Sequence, residues 1–187
     1  SSNIKSLVDR LQHILTEKRA KERLLAAAGS YQKWWNEEFS KEHDPSQIHG
    51  ETNYFRYRPR PWHILRIGDV SDQQAMEIAS LTSVACRLSG VELEISVATS
   101  ADWHSTFAAA SDIQPLVESH ERLVSRIKKM RDGTIRAINV SEVFRPDEIG
   151  NVYVTREHPF ANGRLELLNY LREQSMSQTV HRYGNII

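Results

Sequence analysis

The stretch Gly50-Glu-Thr-Asn-Tyr-Phe-Arg-Tyr-Arg-Pro-Arg-Pro-Trp-His-Ile-Leu-Arg-Ile-Gly-Asp69 divides the chain. Pro59 and Pro61 bias the residues before them towards extended backbone, so the segment reads as a stiff connector rather than a helix. It runs directly into an apolar strand over residues 62–67. Upstream of it, apolar residues recur at helical spacing; downstream, short apolar runs alternate with helical patterns. Strands alternating with helices imply βαβ units and a largely parallel sheet. The expected fold is therefore α/β. A small Rossmann-like domain over residues 50–187 follows a helical pair over 1–49.

Working upstream, Ile4, Leu7, Val8, Leu11, Ile14 and Leu15 mark one face of a first helix. Leu24, Ala28, Tyr31, Trp35 and Phe39 mark a second, over about residues 18–42. Such amphipathic helices need a surface to cover, because isolated helices are marginal in water. Downstream, Ser71 followed by Gln74 is a capping box that opens a helix carrying Ala75, Ile78, Leu81, Ala85 and Leu88. Gly90 is placed to end it. Residues 91–97 alternate strictly, predicting a strand near a sheet edge with one buried face. A short helix over 103–110, a longer one over 113–131, and strands over 134–140 and 152–154 follow. That makes about four strands. A helix over 164–172 and a polar, β-leaning tail over 173–183 close the chain, the tail depending on a partner outside itself.

The 24 Lys and Arg residues balance 24 Asp and Glu. Nucleic-acid affinity normally rests on an excess of basic residues, so no such partner is expected. No apolar run reaches the roughly 18–20 residues needed to span a bilayer, and the charged N-terminus is unlike a signal peptide. A single cysteine, Cys86, excludes an internal disulfide and any CxxC metal site, which points to a cytoplasmic setting. The sequence opens without Met, two residues before a helical pattern, as a piece of a longer chain does.

Candidate chemistry is sparse. Ile67-Gly68-Asp69 sits where a dinucleotide-binding turn belongs, but Val70, Ser71 and Asp72 replace the further glycines that let backbone approach a pyrophosphate. Cys86 lies among Val84, Ala85 and Leu88 and reads as a structural thiol. Glu42-His43-Asp44 with His49 spans a Pro-containing turn, a poor metal geometry. Arg56, Arg58 and Arg60 alternate with Tyr54, Phe55 and Tyr57. They are better suited to carboxylates, nearby or on another surface, than to bases or phosphates. On chemistry alone the chain reads as a scaffold.

Several motifs nevertheless resemble a known family. Gly50-Glu-Thr-Asn-Tyr-Phe-Arg-Tyr-Arg-Pro59 is similar to the Gly-Glu-x-Asn motif after the aldehyde dehydrogenase module of bifunctional proline utilization proteins. Asp132-Gly-Thr-Ile135 resembles the start of a strand in the same C-terminal region. Asn162-Gly-Arg-Leu-Glu-Leu-Leu168, Leu171-Arg-Glu-Gln-Ser175 and His181-Arg-Tyr-Gly-Asn185 resemble the closing segment of the larger members.

The resemblance implies an aldehyde dehydrogenase-superfamily-like C-terminal domain of an enzyme combining proline dehydrogenase with L-glutamate γ-semialdehyde (1-pyrroline-5-carboxylate) dehydrogenase. The parent would use FAD and NAD; none of its catalytic motifs occurs here, so no catalytic, cofactor-binding or metal residue carries over. The implied role is structural: packing on the aldehyde dehydrogenase module of the same polypeptide, sealing the substrate path or supporting a homo-oligomer. Its interaction positions would be Gly50, Glu51, Asn53, Arg56, Tyr57, Gly163, Arg164, Glu166, Glu173, Gln174, Ser175, His181, Arg182, Tyr183, Gly184 and Asn185, with an extended tail over 175–187. The alternative reading is a self-standing interaction or regulatory domain that dimerises through its helices.

Overall fold

The computed structural model describes residues 2–44 and 51–179. Two helices come first, α1 (Ser2–Ile14) and α2 (Lys18–Trp34), the latter running on through a π-helical turn at Trp35–Phe39. Three strands follow: β1 (Glu42–His43), β2 (Glu51–Pro59) and β3 (Trp62–Ile67). Next come α3 (Asp72–Ser89), β4 (Glu92–Val97), α4 (Trp103–Ser111), β5 (Leu116–Val117) and α5 (His120–Ile127). The chain continues with β6 (Thr134–Ile138), α6 (Pro146–Ile149), β7 (Tyr153–Thr155) and α7 (Gly163–Glu166). A 3-10 turn at Leu167–Tyr170 leads into β8 (Leu171–Thr179).

Five strands form an all-parallel sheet in the order β5-β4-β3-β6-β7, a Rossmann-like arrangement. The central strands β3 and β6 are buried at every position, as strands covered on both faces must be. Paired residues share a face, so His63, Leu65 and Ile67 line one side with Thr134, Arg136 and Ile138. On that side Leu65 and Ile138 pack in one cluster with Leu7, Leu11, Leu24, Tyr31, Ala79 and Phe107 from helices α1 to α4. Each fully buried leucine there contributes about 1.5–3 kcal/mol. On the other side Ile64 and Ile135 meet Leu123 and Ile127 of α5 and Ile149 of α6. The apolar stripes of α1 and α2 are thus taken up inside the chain.

Local signals placed α3 as expected. The Ser71 side chain accepts from the Gln74 amide, and the helix ends at Gly90. Elsewhere the tertiary structure differs from the sequence expectation. The helix expected over 113–131 is a short strand and a short helix. Pro115 has no amide for an interior turn, β5 pairs with Ser96 and Val97, and the Ser119 side chain caps α5. The sheet has five parallel strands, not four. β4 lies near the edge as expected, one place in beside the two-residue β5, but Ile95, Ser96 and Val97 are all buried, so its second half is covered on both faces rather than one. The last helix stops after α7 and a 3-10 turn, because Leu171 and Arg172 already pair with β2.

The largest correction concerns the connector and the tail. Both are strands, and they pair with each other antiparallel, from Glu51 opposite Thr179 to Pro59 opposite Leu171. The Arg60 amide extends the ladder with a 2.9 Å bond to the Tyr170 carbonyl. The tail therefore finds its partner strand in its own chain. With β1 on the other flank they make a separate three-stranded sheet, β1-β2-β8. Gly50, His181, Arg182, Tyr183, Gly184 and Asn185 lie outside the described residues. Among the described residues, no helix is long and apolar enough to cross a membrane.

Candidate functional site

Strand order reverses between β3 and β6, the place where open α/β sheets form ligand crevices at the carboxyl ends of their strands. A crevice of about 560 Å³ lies there, lined among others by Gly68, Asp69, Asp72, Trp103, His104, Asn139 and Glu142. Its floor is stitched shut. The Gly68 amide donates to the Ile138 carbonyl (2.9 Å) and the Asp69 amide to the Asn139 carbonyl (3.1 Å). Asn139, itself at φ 49°, returns a bond from Nδ2 to the Asp69 carbonyl (3.2 Å). A Cβ on Gly68 would lie 2.0 Å from the Asn139 carbonyl oxygen. Gly68 therefore serves the close approach of two strand ends, and its amide is already engaged.

The electrostatics of the crevice are acidic. Asp69, Asp72 and Glu142 line it, while Arg66 beneath is buried and occupied. Its Nη1 donates to Ser96 Oγ (3.0 Å) and the Glu118 carbonyl (2.9 Å), and its Nη2 to Glu142 Oε1 (2.9 Å). Burial works against the Glu142 charge, but the Arg66 bond and charge outweigh it and lower its pKa. Burial also depresses the His104 pKa, with Asp72 opposing, so the imidazole adds no fixed positive charge. A pyrophosphate here would meet three carboxylates with no free guanidinium or glycine amide.

On the opposite half of the sheet lies a fully buried ion pair. Arg136 Nη1 and Nη2 reach Glu166 Oε1 (2.5 Å) and Oε2 (3.0 Å), and both side chains are completely inaccessible. Burial works against the Arg136 charge, yet Tyr170 and Glu166 outweigh it and raise the pKa. The Tyr170 hydroxyl, pushed up by burial, donates to Glu166 Oε1 (2.5 Å). The Phe160 amide donates to Oε2 (2.9 Å), and the Phe160 carbonyl accepts from the Tyr31 hydroxyl (2.5 Å). His63 bonds Thr134 Oγ1 through Nδ1 (2.6 Å) and packs edge-on to Tyr170. Burial, with Arg136 beside it, holds its pKa well below the usual imidazole value. Every carboxylate oxygen here has partners within the protein. Glu166 is a structural anchor.

The remaining motif residues divide between two places. Gly163 lets α7 press against α2, since a Cβ would lie 2.6 Å from the Ser30 carbonyl oxygen. Its amide donates to Ser30 Oγ (2.9 Å), and Arg164 stacks over the Trp34 ring at 5.2 Å. Asn53, Arg56 and Tyr57 lie on β2 and Glu173, Gln174 and Ser175 on β8, with Arg56 directly across from Gln174 and Tyr57 from Glu173. Glu51 opens the same ribbon. Residues about 120 positions apart in sequence thus form one surface.

The two faces of the ribbon differ. Phe55 and Tyr57 pack edge-to-face with each other, and Tyr57 likewise with Phe39 at the end of the π-helical turn. Burial raises the Tyr57 pKa, helped by Glu38 and Glu173. The other face carries Tyr54, Arg56, Arg58, Arg172, Gln174 and Met176. Arg56 is satisfied by Glu42 Oε1 (2.7 Å) and Gln174 Oε1 (2.8 Å). Cys86 is buried and its thiol pKa is raised by burial, the profile of an inert side chain. Among the described residues no group of His, Cys, Asp and Glu is arranged to hold a metal. Sequence reasoning missed the Arg136–Glu166–Tyr170 centre. The resemblance had singled out Glu166 as an interaction position, but for Arg136 the local trace was only an arginine inside an apolar strand.

No protein-family model matches the sequence, and no curated protein matches it. Among solved structures, Proline Utilization A (PutA) from Corynebacterium freiburgense is similar at 26% identity and a TM-score of 0.53. This chain is similar to one segment of PutA. The likeness covers 88% of this chain and 14% of that one, so the chain spans a small part of PutA. Histidinol Dehydrogenase from Elizabethkingia anophelis shares the fold at 10% identity and a TM-score of 0.51, over 78% of this chain and 37% of that one.

Proposed function

We propose that this chain is a non-catalytic structural module of a proline-catabolising oxidoreductase, packed on an aldehyde dehydrogenase module of the same polypeptide. The likeness to PutA, at 26% identity over 88% of the chain, carries the reading. The acidic, stitched crevice supports the view that the module has no cofactor of its own, NAD and FAD belonging to the parent enzyme. The β2/β8 ribbon, with Tyr54 and Met176 exposed on one face, is the surface this reading assigns to that packing. Together with residues 175–187 it would cover the path of a reactive aldehyde between two active sites, keeping it from bulk water, or complete a homo-oligomer. The setting is cytoplasmic.

Dimerisation through the helices has less support. Leu7, Leu11, Leu24 and Tyr31, the apolar residues that would serve it, are buried in the chain's own core. Deleting residues 173–187 from the whole polypeptide is expected to lower coupled proline-to-glutamate flux. Unchanged flux together with unchanged oligomeric state would sink the reading. The chain by itself, given NAD and γ-semialdehyde, is expected to show no turnover.

A further inference from the structure

The open face of the ribbon holds a charge arrangement that the described residues balance only weakly. Arg58 and Arg172 are directly opposite across the ladder and so share one face. Like charges in that position destabilise an antiparallel pair. Arg172 has Asp132 at 3.6 Å, but the two side chains are 53% and 62% exposed, and such a pair contributes little. Arg58 reaches only the neutral Gln174 Oε1 at 3.4 Å among the described residues, an atom Arg56 already holds at 2.8 Å. Two residues farther out, the satisfied Arg56 faces Gln174. Beyond it the exposed Tyr54 and Met176 form a cross-strand pair on the same face.

The geometry points to this face as a docking surface for an acidic patch on a folded protein module, whose carboxylates seat against Arg58 and Arg172 while Tyr54 and Met176 supply the apolar contact. Among the described residues these two guanidinium groups have only those weak contacts, and guanidinium groups are suited to bidentate bonds with carboxylates. The neighbouring aromatic and methionine side chains are residue types enriched at protein interfaces. A nucleic-acid partner is less well served, because the 24 basic and 24 acidic residues leave no general excess of positive charge. Carboxylates seated against the pair would relieve the cross-strand repulsion further.

The proposal rests on the packing reading above and names the chemistry of the surface that receives the ribbon. The test compares hydrogen exchange of the β2 and β8 amides in the whole polypeptide and in this chain alone. Extra protection in the whole polypeptide is expected. It should fall at least about tenfold in the Arg58→Gln/Arg172→Gln double variant, the loss expected from two charge-assisted bonds. Raising salt from about 50 mM to about 500 mM should weaken it in the same way, and Arg58→Lys/Arg172→Lys, which keeps the charge but loses the bidentate fork, should give protection between that of the parent and that of the Gln double variant. Absence of extra protection removes the packing reading and this proposal with it. Protection indifferent to salt and to both double variants overturns the acidic partner while leaving packing in place. Binding of this chain to a single-stranded oligonucleotide, lost in the Gln double variant, overturns it in favour of nucleic acid. Unfolding of the isolated variants, expected unchanged, separates these outcomes from misfolding.

Discussion

Arg136 and Arg58 are the same residue type on neighbouring sheets, and the fold treats them in opposite ways. Arg136 is wholly inaccessible, clamped by both oxygens of Glu166 with Tyr170 alongside. Arg58 stands exposed, opposite another arginine and beside a shared amide oxygen. A buried charge must be answered within the chain, because leaving it unpaired costs several kcal/mol. An exposed one has water as an alternative and can wait for a partner. The first arginine therefore reports on folding, the second on association.

Breaking the buried centre should have the largest effect. Glu166→Ala strands the Arg136 guanidinium and is expected to cost about 3–5 kcal/mol in urea unfolding; a loss below about 1 kcal/mol would falsify the account of that pair. Gly68→Ala forces a methyl group against the Asn139 carbonyl oxygen, and overpacking of this kind costs about 1–3 kcal/mol. Because a backbone carbonyl rather than a flexible side chain is in the way, no larger residue should be tolerated better.

Acid should act on the same side of the sheet through His63. Burial first, and then Arg136, lowers its folded pKa, so the unfolded chain takes up a proton that the folded one refuses. Its contribution to stability is present above the unfolded value of about 6.5 and is lost as pH falls below it. The loss between about pH 6.5 and pH 5.5 is about 1 kcal/mol from this group. Thr134, Arg136 and Tyr170 face the ring, and none is a carboxylate able to welcome the added charge. Denaturation of His63→Leu at both pH values should show that increment removed, whatever the variant's stability at neutral pH.

Ser71→Ala, which removes the cap from the Gln74 amide, should cost about 1 kcal/mol. Arg58→Gln should be the mildest change, within about 0.5 kcal/mol for the isolated chain, since no strong bond is lost and a repulsion is relieved. A large loss there would erase the contrast between the two arginines.

The parts of the molecule legible in the sequence are those decided by neighbours along the chain. Ser71, Gln74 and Gly90 bounded α3 through contacts within one turn at each end. The apolar residues of β3 announced a strand. Pro115 was a local signal too, and the helical period of 113–131 hid it. The candidate site was legible only as separate motifs. Neither Arg56-Tyr57 nor Glu173-Gln174-Ser175 contains any mark of the other.

What the sequence by itself determined was the α/β character and the order of its main elements, because spacing and turn chemistry act over a few residues. Only the tertiary structure decided that the arginine-rich segment and the polar tail are one ribbon, and that Arg136 belongs to Glu166. Those pairings join positions 30 to 128 residues apart, and strand edges and buried charges choose their partners by position in space.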